Sequence, residues 1–275
     1  MSKYFDETFG TTEPAASVGS KPWTAAAEAP APEPEPARSL PPRAPKSTVP
    51  VSRTLRLQFA AADAMGAFQE SYRGLRTRLL RQRSEKGLRS VAITSAMQGE
   101  GKTLTSLHLA YSCAQLQDMR VLLIDADIRS FGLSRLLHAP AGVGLSDILA
   151  EKAEPERAIL PTDLPNLHFL PGGANTGAPA ELLASRRLAQ LIDWCSETYS
   201  LVIVDTPPLL NLTDVELITA HSDGVVMIVR SQETLSENLR KCAAQLDSKK
   251  LLGIVLNGSR VRNDAYSYSY GVAAR

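Results

Sequence analysis

From about residue 54 the chain alternates short apolar runs with stretches of helical spacing. Over residues 62–83 (ADAMGAFQESYRGLRTRLLRQR), Phe68, Tyr72, Leu75 and Leu79 fall on one face and arginines on another, which predicts an amphipathic helix. RSVAITSA then reads as a strand, KTLTSLHLAYSCAQL as a helix and RVLLIDAD as a second strand. After an irregular middle, NLHFLPGG suggests a short strand and ELLASRRLAQLIDWCSET a helix or a pair of helices. LVIVDTPP, DGVVMIVR and LLGIVLNG are three further apolar runs bounded by turn residues, with helical candidates TDVELITAH and TLSENLRKCAAQLDS between them.

Short β-rich runs separated by helices predict an α/β fold: a three-layer sandwich with a mainly parallel central sheet and helices on both faces. In such sheets ligands bind beyond the carboxyl ends of the strands, so the chemistry is sought there.

Residues 11 to about 50 break the pattern. Ten of the eighteen prolines fall in this stretch, and APAPEPEPARSLPPRAPK holds almost nothing that could enter a core. It cannot offset its ordering entropy and is expected to be extended and polyproline-like, serving as a tether or as a docking site for a partner. At the other end, Y-S-Y-S-Y places Tyr266, Tyr268 and Tyr270, three of only seven tyrosines, close to the terminus. An edge strand, a disordered accident and a substrate are all open readings of that stretch.

Composition narrows the class. A chain of 275 residues with 44% apolar residues can build a sizeable core without disulfides. A net charge of +1 gives no general attraction to nucleic acid or membrane. Cys113, Cys195 and Cys242 are isolated and lack metal-ligand spacing, so they read as buried thiols in a reducing compartment. The polar N-terminus MSKYFDETFG does not resemble a signal peptide, and the apolar runs fall well short of the ~20 residues of a membrane-spanning helix. The expected location is therefore cytoplasmic. His108, His138, His168 and His221 are scattered and read as structural.

The first strand ends in A-M-Q-G-E-G-K-T, Ala96 to Thr103, with a helical pattern from Lys102. A glycine-rich turn opening a helix lets backbone N–H groups and the positive helix end surround an anion, since no side chain blocks their approach. Gln98, Gly99, Glu100, Gly101, Lys102, Thr103 and Leu104 thus form a candidate ATP-phosphate site, with Lys102 on the β/γ-phosphates and the Thr103 hydroxyl on Mg²⁺. Ala96 stands where the P-loop pattern has its first glycine. Two more strands end in acids: RVLLIDADIRS supplies Asp125, Asp127 and Arg129, and LVIVDTPP supplies Asp205. Asp205 suits the Walker B role at Mg²⁺. Asp125 and Asp127 could together hold metal and accept a proton from an incoming hydroxyl, provided the strand has ended before Asp127, because side chains alternate along it.

AMQGEGKT, VLLIDADIR and LVIVDTPP, in this order and spacing, resemble the bacterial protein-tyrosine kinases of the capsular and exopolysaccharide type, P-loop proteins related to the MinD/ParA ATPases. E-S-Y-R-G-L-R, with Glu70, Arg73 and Arg76, matches that family's E-x-x-R-x-x-R helix, and the terminal tyrosines match its tail. The resemblance covers roughly residues 60–275. It implies an ATP- and Mg²⁺-dependent tyrosine autokinase whose subunits form a ring, the tail of one entering the site of the next. On this resemblance Lys102 holds phosphate, Thr103, Asp127 and Asp205 serve Mg²⁺, and Asp125 is the favoured base. Arg129 balances charge or reaches across the interface, Asn257 reads the adenine edge, and Glu70, Arg73 and Arg76 lie at the subunit contact. Tyr266, Tyr268 and Tyr270 are the modified residues. The chain divides into a Pro/Ala-rich arm (1–55), a kinase domain (56–262) and a tail (263–275). Members fused to a transmembrane adaptor imply a separate membrane partner here, a polysaccharide co-polymerase that recruits the kinase to the inner face of the membrane, with control of exopolysaccharide or capsule synthesis, export and chain length as the role.

The chief rival is a MinD/ParA-like ATPase switch without kinase activity. Those proteins carry a signature lysine early in the P-loop, and SAMQGEGK has none. The basic stretch from Arg73 to Arg89 could attract nucleic acid, but on a helix it reads better as a solvated or subunit-facing surface, so no nucleic-acid partner is expected.

Overall fold

The computed structural model describes residues 54–57, 65–175, 177–211 and 213–259. Most of the Pro/Ala-rich arm and all of Tyr266, Tyr268 and Tyr270 lie outside the described residues.

The alternating pattern resolves into α1 (Met65–Lys86), β1 (Ser90–Ser95), α2 (Lys102–Ala114), β2 (Val121–Asp125), α3 (Gly132–Leu136), α4 (Leu145–Leu149), α5 (Pro155–Ala158), β3 (Leu160–Pro161) and β4 (Leu167–Leu170). The second half gives α6 (Pro179–Leu183), α7 (Arg186–Thr198), β5 (Leu201–Asp205), α8 (Asp214–Ala220), β6 (Gly224–Arg230), α9 (Ser236–Gln245) and β7 (Leu251–Asn257). The seven strands form one sheet in the order β3-β4-β2-β5-β1-β6-β7. Every pairing is parallel except the short β3–β4 contact. The predicted three-layer α/β sandwich is the observed one. The irregular middle holds three helices of four or five residues and the antiparallel strand β3, too short for periodicity to reveal.

Each central strand is buried on both faces, and successive residues enter different cores. Val91 and Ile93 of β1, with Val121 and Leu123 of β2, join the core under α1 and α2. Leu122 and Ile124 face the core built with α7, while Ala92 joins Val225, Met227 and Cys242 beneath α9. This period of two explains why these strands read as continuous apolar runs rather than alternating ones. All three cysteines are buried and free, as expected.

On α1, Leu79 is buried and Tyr72 and Leu75 pack against the core, matching the predicted face. Two of its five arginines pin it to neighbouring segments. Arg76 donates to the Ser112 carbonyl near the end of α2 at 2.6 Å, and Arg83 donates to the Ser200 carbonyl at 3.0 Å. Leu55, which composition groups with the arm, is 6% exposed, and its N–H donates to the Pro161 carbonyl at 2.9 Å. The packed part of the chain therefore takes in Leu55.

Candidate functional site

The register of the sheet assembles the site. β2 pairs with β5 so that Asp125 stands opposite Asp205, and β5 pairs with β1, whose end leads into the loop of residues 96–101. Three strands that are distant in sequence thus deliver their carboxyl ends to one place.

The loop is shaped by its own residues. Gly101 has φ +93°, and a Cβ there would fall 2.1 Å from the Asn257 amide nitrogen, so only glycine fits. Asn257 lies at the end of β7 and donates from Nδ2 to the Glu100 carbonyl at 2.9 Å. Glu100 is buried; its carboxylate accepts from the Met97 N–H at 2.9 Å and from the Thr234 hydroxyl. Glu100 therefore braces the loop with its side chain and can offer a ligand only its backbone. Ala96, the departure from the P-loop pattern, is fully buried in the core containing Leu209, and its carbonyl accepts from the Leu210 N–H at 3.2 Å. Gln98 and Leu104 are exposed. Gly101 opens α2 with no side-chain cap, which leaves the first-turn N–H groups for an anion.

Lys102 and the acids converge beyond this loop. Lys102 Nζ lies 3.4 Å from Asp127 Oδ2, 3.2 Å from Thr103 Oγ1 and 3.9 Å from Asp205 Oδ2. Asp205 accepts from the Thr103 hydroxyl on Oδ2 and from the Ser106 hydroxyl on Oδ1, each at 2.9 Å. Asp127 Oδ1 accepts from the Ser130 N–H at 3.0 Å. Because β2 ends at Asp125, the chain turns before Asp127 and both acids reach the same cluster, satisfying the condition that alternation imposes. Asp125 takes the Ser134 N–H at 2.8 Å and the Ser134 hydroxyl at 2.7 Å on one oxygen, Oδ2. Its other oxygen, Oδ1, is buried without a hydrogen-bond partner.

Three carboxylates thus surround one ammonium. Burial pushes Asp205 up to about 7, and the nearby Asp125 charge adds to this against the opposing Lys102. Burial likewise pushes Asp125 up to about 6, with Asp127 adding to the rise and Ser134 opposing it. A site with excess buried acid and the Thr103 hydroxyl beside the Asp205 carboxylate fits Mg²⁺, which typically takes one or two protein oxygens and completes its shell with phosphate and water. The oxygens available for it are those of Thr103, Asp205 and Asp127.

Other predicted residues lie elsewhere. Arg129 is held by Asp214, the first residue of α8, through contacts of 2.6 and 3.1 Å. Glu70 and Arg73 are exposed and paired with each other at 3.2 Å, whereas Arg76 turns inward to α2. The triplet expected at a subunit contact is therefore split, with two residues on the surface and one engaged within the chain. Asn257 adjoins the loop through its side-chain amide on the Glu100 carbonyl. His108 stacks on Tyr72 at 5.1 Å and His168 meets Tyr199 edge-on at 5.5 Å, in keeping with structural roles.

Sequence reasoning missed Ser106, Ser134, Asp214 and Thr234. Ser106 was accessible, since it follows Lys102 by four and Thr103 by three and so shares their helix face. The others reach the site through tertiary contacts that no local spacing announces.

A family model for the AAA domain matches residues 88–249. The tyrosine-protein kinase YwqD of Bacillus subtilis is 34% identical over 223 residues, covering 80% of this chain and 93% of its own length. The tyrosine-protein kinase Wzc of Salmonella typhimurium is 33% identical over 204 residues, which cover 73% of this chain and 28% of that longer protein. Among solved structures, the kinase domain of Escherichia coli tyrosine kinase ETK superposes with a TM-score of 0.70 at 32% identity, covering 79% of this chain and 87% of that domain. With its P-loop, its paired acids at and just beyond the end of β2 and its β5 aspartate, this chain belongs to the family of bacterial tyrosine-protein kinases.

Proposed function

We propose that this protein transfers the γ-phosphoryl group of Mg·ATP to protein tyrosine, and that its own Tyr266, Tyr268 and Tyr270 are acceptors, modified between subunits of a homo-oligomeric ring. The observation that carries the reading is the convergence of Lys102, Thr103, Asp125, Asp127 and Asp205 at one end of the sheet. Lys102 and the N–H groups of the loop hold the phosphates, and Asn257 lies near enough to the loop to meet the adenine. Mg²⁺ supplies charge neutralisation on the phosphate oxygens, held by Thr103, Asp205 and Asp127. Asp125 accepts the proton of the tyrosine hydroxyl, whose oxygen attacks the γ-phosphorus as ADP leaves. With a carboxyl near 6, Asp125 is mostly ionised at neutral pH and available as a base. A phenol of pKa about 10 needs alignment and a neighbouring carboxylate more than strong basicity, because phosphoryl transfer is chiefly a matter of positioning and charge.

The resemblance to the capsular and exopolysaccharide kinases extends the proposal to exopolysaccharide or capsule production, with control of synthesis, export and chain length. Among the described residues no helix is long and apolar enough to cross a membrane. In this reading a separate transmembrane co-polymerase or adaptor serves as activator at the inner face of the membrane, with the Pro-rich arm as a contact. Exposed Glu70 and Arg73 support a subunit contact on α1.

The test is incubation of the purified full chain with Mg·ATP, with and without cytoplasmic segments of candidate adaptors, and mapping of phosphotyrosine by mass spectrometry. Modification at Tyr266, Tyr268 or Tyr270 that disappears in Lys102→Ala is expected. ATP hydrolysis without tyrosine modification under every condition would replace the kinase with the MinD/ParA-like switch.

A further inference from the structure

The two buried acids facing each other across β2 and β5 are satisfied differently. Asp205 has a hydroxyl on each oxygen, from Ser106 and Thr103. Asp125 has both of its donors on Oδ2, and both come from Ser134. A buried carboxylate kept only for structure normally has both oxygens satisfied, so the bare Oδ1 calls for a reason.

Ser134 is itself constrained. Its hydroxyl accepts the Gly172 N–H at 3.0 Å while standing 2.7 Å from Asp125 Oδ2. With an acceptor site taken by that amide, the single hydroxyl proton is directed at the carboxylate. Gly172 is supplied by the segment after β4, which the β2–β4 register (Ile124 opposite Leu170) brings beside the end of β2. The approach is tight: a Cβ on Gly172 would meet the Phe131 ring at 2.6 Å. The Gly172 carbonyl is fixed in turn by the Ser146 N–H of α4 at 3.0 Å. A chain of hydrogen bonds thus runs from α4 through Gly172 and Ser134 to one oxygen of Asp125.

We infer that Ser134 is a positioning residue for phosphoryl transfer: anchored by Gly172, it holds Oδ2 of Asp125 and so presents Oδ1 to the acceptor hydroxyl. The inference rests on Asp125 being the base for tyrosine. Ser134 touches neither nucleotide nor acceptor. Its effect is to fix the rotation of a carboxylate, and small misplacements of a reacting group have large consequences for rate.

Removing the hydroxyl leaves the Ser134 N–H in place, so the carboxylate is loosened rather than lost. In the full-length protein, Ser134→Ala lowers kcat for tyrosine phosphorylation about 10–100-fold. The KM for ATP and the Kd for Mg·ATP by titration calorimetry stay within about two-fold, because the phosphate contacts are untouched. Ser134→Thr, which keeps the hydroxyl, returns kcat to within about three-fold of the parent. In an Asp125→Asn background, Ser134→Ala costs nothing further, since a residue acting through Asp125 has nothing left to position. Wild-type kcat in Ser134→Ala, or an equal loss with and without Asp125, overturns the inference while leaving the kinase reading intact. If Ser134→Ala fails to fold, Ser134→Cys keeps the volume with a weaker donor; a folded Ser134→Cys protein with full kcat overturns the inference equally. A parent protein that phosphorylates no tyrosine under any adaptor condition overturns the kinase reading, and this inference with it.

Discussion

The two ends of the same central strands handle their polar groups in opposite ways: exposed Asp223 at the amino end, buried Asp125, Asp127 and Asp205 at the carboxyl end. At the amino end, Asp223 accepts on Oδ2 from the Arg89 N–H, the Ser90 N–H and the Ser90 hydroxyl at 2.8–2.9 Å. Cations there are spent on backbone carbonyls. Arg83 donates to Ser200, Arg89 to Ser196, and Lys250 to Thr219 and Ala220 at the end of α8. At the carboxyl end, three carboxylates share one lysine, two of them are pushed well above the ordinary carboxylate range by burial, and one oxygen has no partner. An acid that takes donors from a distant turn, as Asp223 does from Arg89 and Ser90, ties the fold together. An acid crowded with others and left partly unsatisfied is held ready for a cation and a proton.

Breaking the carboxyl end has the largest expected effect. Lys102→Ala removes, among the described residues, the one cation within 4.0 Å of Asp127 and Asp205 and lowers phosphoryl transfer by at least about 10²–10³-fold, as loss of a preorganised charge contact does. Radiolabelled phosphate incorporation measures it, with circular dichroism to show that the fold survives.

The mirror experiment at the amino end should separate stability from chemistry. Asp223→Ala strands the buried Ser90 N–H while the exposed Arg89 N–H turns to water, at a cost of about 1–3 kcal/mol. For a chain of this size that is a fall of roughly 2–4 °C in Tm per kcal/mol. At a temperature where the variant is fully folded, kcat is unchanged; a loss of kcat comparable to that of Lys102→Ala would erase the distinction between the two ends.

Proton linkage sharpens the comparison further. Asp205 and Asp125 have carboxyls raised to about 7 and about 6 in the folded protein, so the folded state binds more protons than the unfolded one across this window. Their contribution to stability is present at low pH and is lost as pH rises through those values. In EDTA, Tm should therefore fall between about pH 5 and about pH 8, by roughly 4–8 °C if the linked energy is ~2 kcal/mol. Mg²⁺ with nucleotide flattens the slope, and Asp205→Asn reduces it in EDTA. A slope unaffected by either would mean that these carboxylates do not carry it.

The smallest effect on the fold is expected from Glu70 and Arg73. An exposed ion pair is worth about 0–1 kcal/mol, so replacing both with alanine leaves Tm nearly unchanged. A change in subunit number by light scattering would then assign the pair to assembly, and an unchanged oligomer would remove α1 from the subunit contact.

Legibility differed from residue to residue. Lys102, Thr103, Asp125, Asp127 and Asp205 could be named because each lies at or within two residues of the end of an element whose period and punctuation are local. Asp125 and Asp127 were harder, since their sharing one cluster depends on β2 ending at Asp125. Arg76 was read as part of a surface triplet, yet its partner is a carbonyl 36 residues away. Arg129, adjacent to the paired acids in sequence, is claimed by Asp214 on a helix 85 residues further on. Glu100 sits inside the phosphate-loop motif but faces Thr234, 134 residues away.

Element type, layer order and the phosphate loop were written into the local order of residues, because apolar period and glycine placement constrain a few neighbouring dihedral angles at a time. Strand order, and with it the meeting of Asp125 with Asp205 and of Ser134 with Gly172, came from folding. Hydrogen bonds between parallel strands join segments tens of residues apart, and no local pattern specifies which apolar run pairs with which. The free oxygen of Asp125 belongs to that second kind of information: the residue is legible, and which of its two oxygens is left open is a property of the packed molecule.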